Sequence, residues 1–199
     1  MSGEPDFAIW PPYEVFYIES MRFRTSSALD SVDTVNFLIT AVVRNEKDKL
    51  PQDWHRHLLD HLQNIVIQGA ALSRFLWPPH DGENKMHKKR GQLLRKALSI
   101  KNDSPLKNRA LRNQIEHFDE LLDKYLQPGI VGNVLPDFIG DSRNKSEVPL
   151  HVFRGYFLDN GVFQILNSKF EINPLVEEIH TIGAKLEELS HRGRLEVRK

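Results

Sequence analysis

The sequence predicts a mainly α-helical fold: a bundle of four to five helices with a β-hairpin in its C-terminal half and a final helix after it. Three observations support this prediction. Apolar residues recur every three or four positions over most of the 199-residue chain, as on one face of an amphipathic helix. Prolines and capping residues stand where such segments begin and end. Within residues 149–168, in contrast, strand-forming residues stand on both sides of a strong turn signal.

The first two helices are predicted from their apolar spacing and from the prolines that bound them. Two consecutive prolines precede the first helix, which we expect over residues 13–44, with a kink or break at the Thr-Ser-Ser sequence of residues 25–27. Asp53 is the expected N-cap of the second helix. A leucine-rich face continues along this helix until a second pair of prolines, at residues 78–79, ends it.

The middle of the chain is predicted to contain a loop and two further helices. Residues 80–90 are expected to form a polar loop, and residues 91–100 a short basic helix. The sequence Asn-Asp-Ser-Pro at 102–105 is a strong helix start, with the serine or the aspartate as cap and proline at the first helical position. We expect the helix that follows to continue without interruption to about residue 126.

The sequence pattern changes in the C-terminal part of the chain. Residues 128–148 show no periodicity and are predicted to be a long irregular loop, which in a compact domain is usually functional or mobile. A β-hairpin follows at 149–168, with its turn at 159–161, and its aromatic side chains are interpreted as packing residues. Asn-Pro at 173–174 begins the last helix. Residues 1–199 are therefore expected to form one domain with the hairpin as an insertion.

Composition limits the classes of function. Lysine plus arginine and aspartate plus glutamate number 27 each, so the net charge argues neither for nor against nucleic acid. The chain has no cysteine, which excludes disulfides, thiol catalysis and cysteine-ligated metals. The N-terminal sequence lacks the basic and apolar regions of a signal peptide, and no stretch has the length of a membrane span. We expect a cytoplasmic protein without membrane association.

The charge is unevenly distributed. Residues 85–112 contain ten lysines or arginines and one acid, whereas residues 113–124 contain four acids and one lysine. The basic cluster predicts a surface that follows a phosphate backbone, and a solvated helix face is the alternative. The residues assigned to this candidate RNA-binding surface are Lys88, Lys89, Arg90, Arg95, Lys96 and Arg109.

The strongest candidate site lies within residues 111–126. On a helical wheel Asn113 points away from the apolar stripe, and Arg112 and His117 border the polar face on opposite sides. Arginine presents a charged fork that fits phosphate oxygens, and histidine exchanges protons near neutrality. RNA contains its own nucleophile, the 2′-hydroxyl, so an arginine and a histidine meet the minimum for cleavage without a metal.

The same residues have a simpler interpretation. Arg112 and Glu116, four positions apart, can form a weak surface ion pair, and His117 can be an ordinary surface histidine. The acidic residues of this segment also have two interpretations. Glu116 and Glu120 either hold Arg112 or His117 in position or weaken the binding of phosphate, and the sequence leaves both open.

Residues 112–117, Arg-Asn-Gln-Ile-Glu-His, resemble the R-x(4–6)-H motif of HEPN domains, in which a polar residue often follows the arginine. HEPN proteins are small helical bundles, often dimeric, and many are metal-independent ribonucleases of toxin–antitoxin and phage-defence systems. The resemblance implies that Arg112 binds the scissile phosphate and that His117 is the acid–base. Asn113 would assist at the phosphate or at the dimer seam, with Glu116 and Glu120 in support.

The resemblance also implies partners. Two copies of the motif helix would face each other across a two-fold axis, and this homodimer would cover the exposed polar face. RNA is then the expected substrate, and an antitoxin or another protein is a further expected partner. The alternative function is a non-catalytic HEPN-like module that binds a nucleotide, RNA or a protein.

No cofactor or metal is predicted. His57 and His61 are four residues apart on one helix face, a spacing that allows two imidazoles to share a metal. The sequence shows no clear third ligand outside that helix. We therefore interpret both histidines as ordinary helix residues.

Overall fold

The computed structural model describes residues 8–78, 85–108, 110, 111, 113, 117–143 and 147–195. Over these residues the chain is mainly helical, with five α-helices and one four-stranded sheet, which confirms the predicted class. The helices are α1 (Glu14–Val43), α2 (Trp54–Leu76), α3 (Lys85–Ala97), α4 (Phe118–Leu126) and α5 (Ile172–Ser190). The strands are β1 (Asn133–Gly140), β2 (Leu150–Phe157), β3 (Val162–Ile165) and β4 (Ser168–Glu171).

Helix α2 is the centre of the fold. It packs against α1, α3, α5 and the first two strands, and it buries consecutive pairs of residues such as Leu58 and Leu59. Gly69 permits a close approach of α5, because a Cβ there would lie 3.1 Å from Leu175 Cδ1. The predicted second helix is thus confirmed. Asp53 occupies its N-cap position, although its side chain makes no capping hydrogen bond.

Helix α1 is continuous over residues 25–27, so a break there, one of the two outcomes expected from the sequence, is wrong. The Thr25 hydroxyl donates to a carbonyl one turn earlier in the same helix. The hydroxyls of Ser27 and Ser31 accept hydrogen bonds from Asn64 Nδ2 of α2, at 3.2 and 2.8 Å. Asn64 therefore joins both serines to α2, while the Ser31 hydroxyl also donates to the Ser27 carbonyl within α1 at 3.2 Å and leaves the helix intact.

Helix α3 begins at Lys85, so the predicted polar loop at 80–90 ends earlier than expected. The segment from Lys85 to Arg90 consists largely of residues with good helix propensity. It therefore extends the short basic helix, predicted at 91–100, by almost two turns. Its C-terminal end lies three residues before the predicted one, at Ala97.

The region predicted as an irregular loop contains a strand. β1 pairs in parallel with β2, with Asn133 opposite Leu150 and Gly140 opposite Phe157. Pro136 interrupts the usual strand pattern in the sequence, but β1 is the first strand in the sheet order β1-β2-β3-β4. A proline is tolerated on such an edge strand, because its missing N–H is not needed for the ladder. The loop prediction for 128–148 is therefore wrong for the strand residues.

The predicted hairpin is confirmed and belongs to a larger sheet. β2 and β3 pair antiparallel, and Gly161 in the turn adopts a φ of 66°. β4 adds a further antiparallel strand after a second turn, which the sequence analysis did not expect. The last helix, α5, then begins at Ile172, one residue before the expected Asn-Pro start.

The two faces of the sheet are covered by different helices. Phe163, Ile165 and Phe170 join the core on the inner face. Alternate residues of β2 point to the outer face, where α4 packs: the Phe118 and Phe153 ring centroids are 5.9 Å apart. Helix α1 packs on α2 and α5, and α2 packs on β1 and β2. The domain therefore has four layers: α1 forms the first, α2 and α5 together form the second, the sheet is the third and α4 is the fourth.

A charged clamp joins α2 to the sheet. Arg154 on β2 has a side chain that is only 13% exposed, and its Nη1 contacts Asp60 Oδ1 of α2. Its Nε donates to Asp137 Oδ1 of β1 at 3.1 Å, and Nη1 also donates to Gln63 Oε1 at 3.2 Å. One guanidinium therefore compensates two carboxylates that come from two different elements.

Replacing Arg154 by methionine should lower the free energy of unfolding by about 2 kcal/mol, because it leaves Asp60 and Asp137 without their counter-charge. We expect no larger loss of stability, because both carboxylates are partly exposed and water screens their charges. Urea unfolding at neutral pH measures it. Arg143→Ala, which removes an exposed ion pair within a loop, is the control and should leave stability unchanged. Equal stability of Arg154→Met and the wild type would contradict the clamp.

Candidate functional site

The predicted motif helix is divided at His117. Ala110, Leu111 and Asn113 are helical, but His117 has a φ of −132° and a ψ of 34° and occupies the N-cap position of α4. The His117 N–H still donates to the Asn113 carbonyl at 3.1 Å, while its own carbonyl accepts from the Leu121 N–H at 2.9 Å. The expectation of one uninterrupted helix to residue 126 is therefore wrong.

The start of the motif segment is also interrupted. Ser104 Oγ accepts from the Leu106 N–H at 3.3 Å and caps a short 3₁₀ turn, Pro105–Lys107, as the sequence predicted for a helix start. Asn108 then adopts an extended backbone, and its Oδ1 accepts from the Ala110 N–H at 2.9 Å. Asn108 is thus a second cap, and the sequence analysis did not identify it. Asparagine two positions before a helical residue was the available signal.

The break at His117 has a packing cause. Before it, Leu111 is 2% exposed and faces a pocket that Phe170 of β4 and Leu175 of α5 also line. After it, Phe118 packs on Phe153 of β2, on the outer face of the sheet. A straight helix carries its apolar residues on one stripe, so we attribute the turn at His117 to these two different packing directions.

Asn113 and His117 are both exposed and lie one helical turn apart. The His117 side chain is 52% exposed, and its Nδ1 lies 3.4 Å from Glu120 Oε1. The other Glu120 oxygen is 3.9 Å from Lys124 Nζ, so an imidazole and an ammonium group share one carboxylate. Such a contact restricts the orientation of the imidazole, which is one of the two roles that the sequence left open for Glu120.

The break also gives the neighbouring acids a structural explanation. Asp119 and Glu120 stand in the first turn of α4. Carboxylates at this position stabilise the partial positive charge of a helix N-terminus. Within an unbroken helix they would have stood at mid-length, where this effect is absent. Their presence therefore does not by itself argue for or against an RNA-binding surface.

Three residues of the predicted site lie outside the described residues: Arg112, the expected phosphate ligand, Glu116, its expected supporting acid, and Arg109 of the basic surface. Their roles stay predictions, as does the pairing of two motif helices across a two-fold axis. The exposed pair of Asn113 and His117 is the part of the motif whose geometry is known.

Two arginines of the predicted RNA-binding surface contact the end of α2. Arg90 Nη2 donates to the Arg74 carbonyl at 3.3 Å, and Arg95 Nη1 donates to the Leu76 carbonyl. The Arg95 guanidinium also lies 5.3 Å from the centroid of the Trp77 ring. Burial lowers the pKa of Arg95 from its ordinary value. These arginines satisfy carbonyl groups that the last turn of any helix leaves without partners.

The lysines of the same predicted surface have different surroundings. Lys88 and Lys96 are exposed on α3, and Lys89 is half-buried. Lysine ammonium groups at exposed positions can contact a phosphate backbone without a defined geometry. Contact of these lysines with RNA stays a prediction.

The described part of the chain shows no metal cluster and no membrane-spanning helix. No group of three or more histidines, aspartates or glutamates among the described residues could hold a metal ion. His61 Nδ1 lies 3.2 Å from Ser31 Oγ of α1, whereas His57 is exposed. None of the described helices is both long and apolar enough to cross a membrane.

Comparison of the chain with protein-family models, with curated proteins and with solved structures found no match. A functional interpretation therefore depends on the motif at 112–117 and on the geometry of its described residues. That geometry consists of an exposed amide and an exposed imidazole on one turn, with a carboxylate beside the imidazole.

Proposed function

We propose that this chain is a HEPN-like, metal-independent endoribonuclease that acts as a homodimer, as a toxin or a phage-defence effector. The observation that supports this most is the exposure of Asn113 and His117 one turn apart within the R-x4-H motif. In the proposal, Arg112 binds the scissile phosphate, Asn113 assists there, and His117 transfers the proton. Because so short a motif often occurs by chance, the proposal also relies on the helical fold around the motif and is tested by RNA cleavage.

The proposed reaction uses the 2′-hydroxyl of RNA as nucleophile. His117 takes the proton of this hydroxyl while its oxygen attacks the neighbouring phosphorus, and Arg112 stabilises the charge that develops on the phosphoryl oxygens. The bond to the 5′-oxygen breaks, and the leaving oxygen receives a proton from a general acid. In a two-fold arrangement, the second copy of His117 supplies that acid. The products are a 2′,3′-cyclic phosphate and a 5′-hydroxyl.

Purified full-length protein should cleave RNA in the presence of EDTA. Arg112→Ala and His117→Ala should each reduce the rate by about 10²-fold or more, because the first removes the stabilisation of charge on the phosphoryl oxygens and the second removes the general base. His180→Ala, which removes an exposed histidine of α5, is the matched control and should retain full activity. The 3′ ends of the products should carry cyclic phosphate. Equal rates in all variants, or no cleavage by the wild type, would remove the catalytic proposal.

Glu120 allows a finer test of the same proposal. If its carboxylate orients the His117 imidazole, Glu120→Gln should reduce kcat by roughly tenfold and leave KM nearly unchanged, because misplaced catalytic groups slow the chemical step. If the charge only repels RNA, the same change should lower KM with kcat unaltered. Steady-state cleavage of a short labelled RNA separates the two outcomes, and the second would contradict a positioning role.

The second candidate function is a non-catalytic module that binds a nucleotide, RNA or a protein partner. The exposure of Lys88 and Lys96 on α3 favours it, because exposed ammonium groups bind phosphate without the defined geometry that catalysis needs. RNA binding measured by fluorescence anisotropy, with the RNA remaining intact, would support this function. Lys88→Ala and Lys96→Ala should then weaken binding and reduce its salt dependence.

A further inference from the structure

Helix α4 is attached to the sheet by a single stripe of partly buried side chains. None of its nine residues, all of which the structure describes, is buried. Its apolar residues Phe118, Leu121, Leu122 and Tyr125 lie on one face and pack against the core. An isolated helix of this length is not stable in water. The position of α4 therefore depends on what these side chains contact in the sheet.

Two aromatic contacts hold the two ends of α4 on strand β2. At the N-terminal end, the Phe118 ring packs edge-on against the Phe153 ring. At the C-terminal end, Tyr125 Oη lies 3.0 Å from His151 Nδ1, and the two ring centroids are 6.0 Å apart. His151 and Phe153 are alternate residues of β2 and share its outer face. The two contacts are about 10 Å apart along the helix, so together they define its direction.

The His151 imidazole uses both of its nitrogens. Nε2 lies 3.1 Å from the Val131 carbonyl oxygen, in the segment before β1. A carbonyl oxygen only accepts hydrogen bonds, so Nε2 carries the proton. In the neutral imidazole Nδ1 is then the acceptor, and the Tyr125 hydroxyl donates to it. These two hydrogen bonds set the orientation of the ring, and the contact at the C-terminal end of α4 is therefore directional.

A change in the direction of α4 is transmitted to His117. The His117 carbonyl accepts from the Leu121 N–H at 2.9 Å, which joins this residue to the first turn of the helix. The His117 imidazole also contacts Glu120 of the same turn. If α4 tilted about the Phe118 contact, these groups would turn with it, and the imidazole would face a different direction.

We propose that Tyr125 and His151 are positioning residues for His117. They hold the far end of α4, and the helix then presents the imidazole in one orientation. Tyr125 lies eight residues after His117, about 12 Å along the helix axis, so it acts through α4 and not on a reacting phosphate. The effect on reaction rate rests on the proposed ribonuclease activity, whereas the positioning itself is a property of the folded chain.

Tyr125→Phe tests the positioning without an assay of activity, because it removes the hydroxyl and keeps the ring. In NMR spectra of the folded variant, the His117 imidazole resonances should shift, while those of His180 on α5 should not. Since Tyr125 is about 12 Å away, such a shift reports a movement of α4 and not the missing atom. Tyr13→Phe, at a tyrosine that is 54% exposed before α1, is the matched control and should leave both sets unchanged.

The coupling between the two positioning residues has its own test. His151→Leu removes both ring nitrogens and should shift the same His117 resonances. Adding Tyr125→Phe to this variant should have no further effect, because the hydroxyl has already lost its partner. Additive shifts from the two substitutions would mean that they act separately, and would contradict a shared contact.

Steady-state RNA cleavage measures the effect on rate. Tyr125→Phe should lower kcat by roughly fivefold and leave KM nearly unchanged, because a misdirected imidazole slows the chemical step without weakening RNA binding. A merely structural contact would lower stability but leave kcat of the folded protein unaltered. Wild-type kcat in Tyr125→Phe, or unshifted His117 resonances, would overturn the positioning role. A wild type that does not cleave RNA would remove the ribonuclease proposal instead, and the resonances alone would then decide the positioning.

Discussion

The need to cover α2 governs the rest of the structure. This helix buries consecutive apolar residues, so a single packing surface is not sufficient for it. Helix α1, helix α5, the end of α3 and the sheet each cover part of it. The small size of Gly69 admits Leu175 of α5, and the polar side of the α1 interface is satisfied by hydrogen bonds from Asn64. The sheet is held against the remaining side by apolar packing and by Arg154.

The candidate site is a consequence of this arrangement. Once the sheet covers α2, its outer face also has apolar residues to bury, and α4 packs there through Phe118. Leu111 belongs to a different neighbourhood, beside β4 and α5. The chain between them turns at His117, which places this imidazole at the start of a helix rather than in its middle. The acids that follow then stabilise the new N-terminus, and Glu120 also contacts the imidazole.

The basic residues of α3, which are adjacent in sequence, have different surroundings in the folded chain. The sequence of α3 indicated one continuous basic surface, but the arginines and the lysines have different partners. Arg90 and Arg95 donate to carbonyls at the end of α2, since guanidinium groups form directed hydrogen bonds well. Lys88 and Lys96 are exposed. A count of charges along the chain does not contain this distinction, because it depends on which helix end lies beside each side chain.

Local patterns in the sequence determined most of the helices, the β2–β3 turn and the presence of an exposed polar pair at Asn113 and His117. Helical periodicity and an Asp-Asn-Gly turn depend on residues close together in the chain, so they can be recognised from the sequence alone. Tertiary structure alone decided the strand at 133–140, the continuity of α1 and the break at His117. Each depends on a partner distant in sequence: β2 for the edge strand, Asn64 for the serines of α1, and Phe153 for the direction of α4.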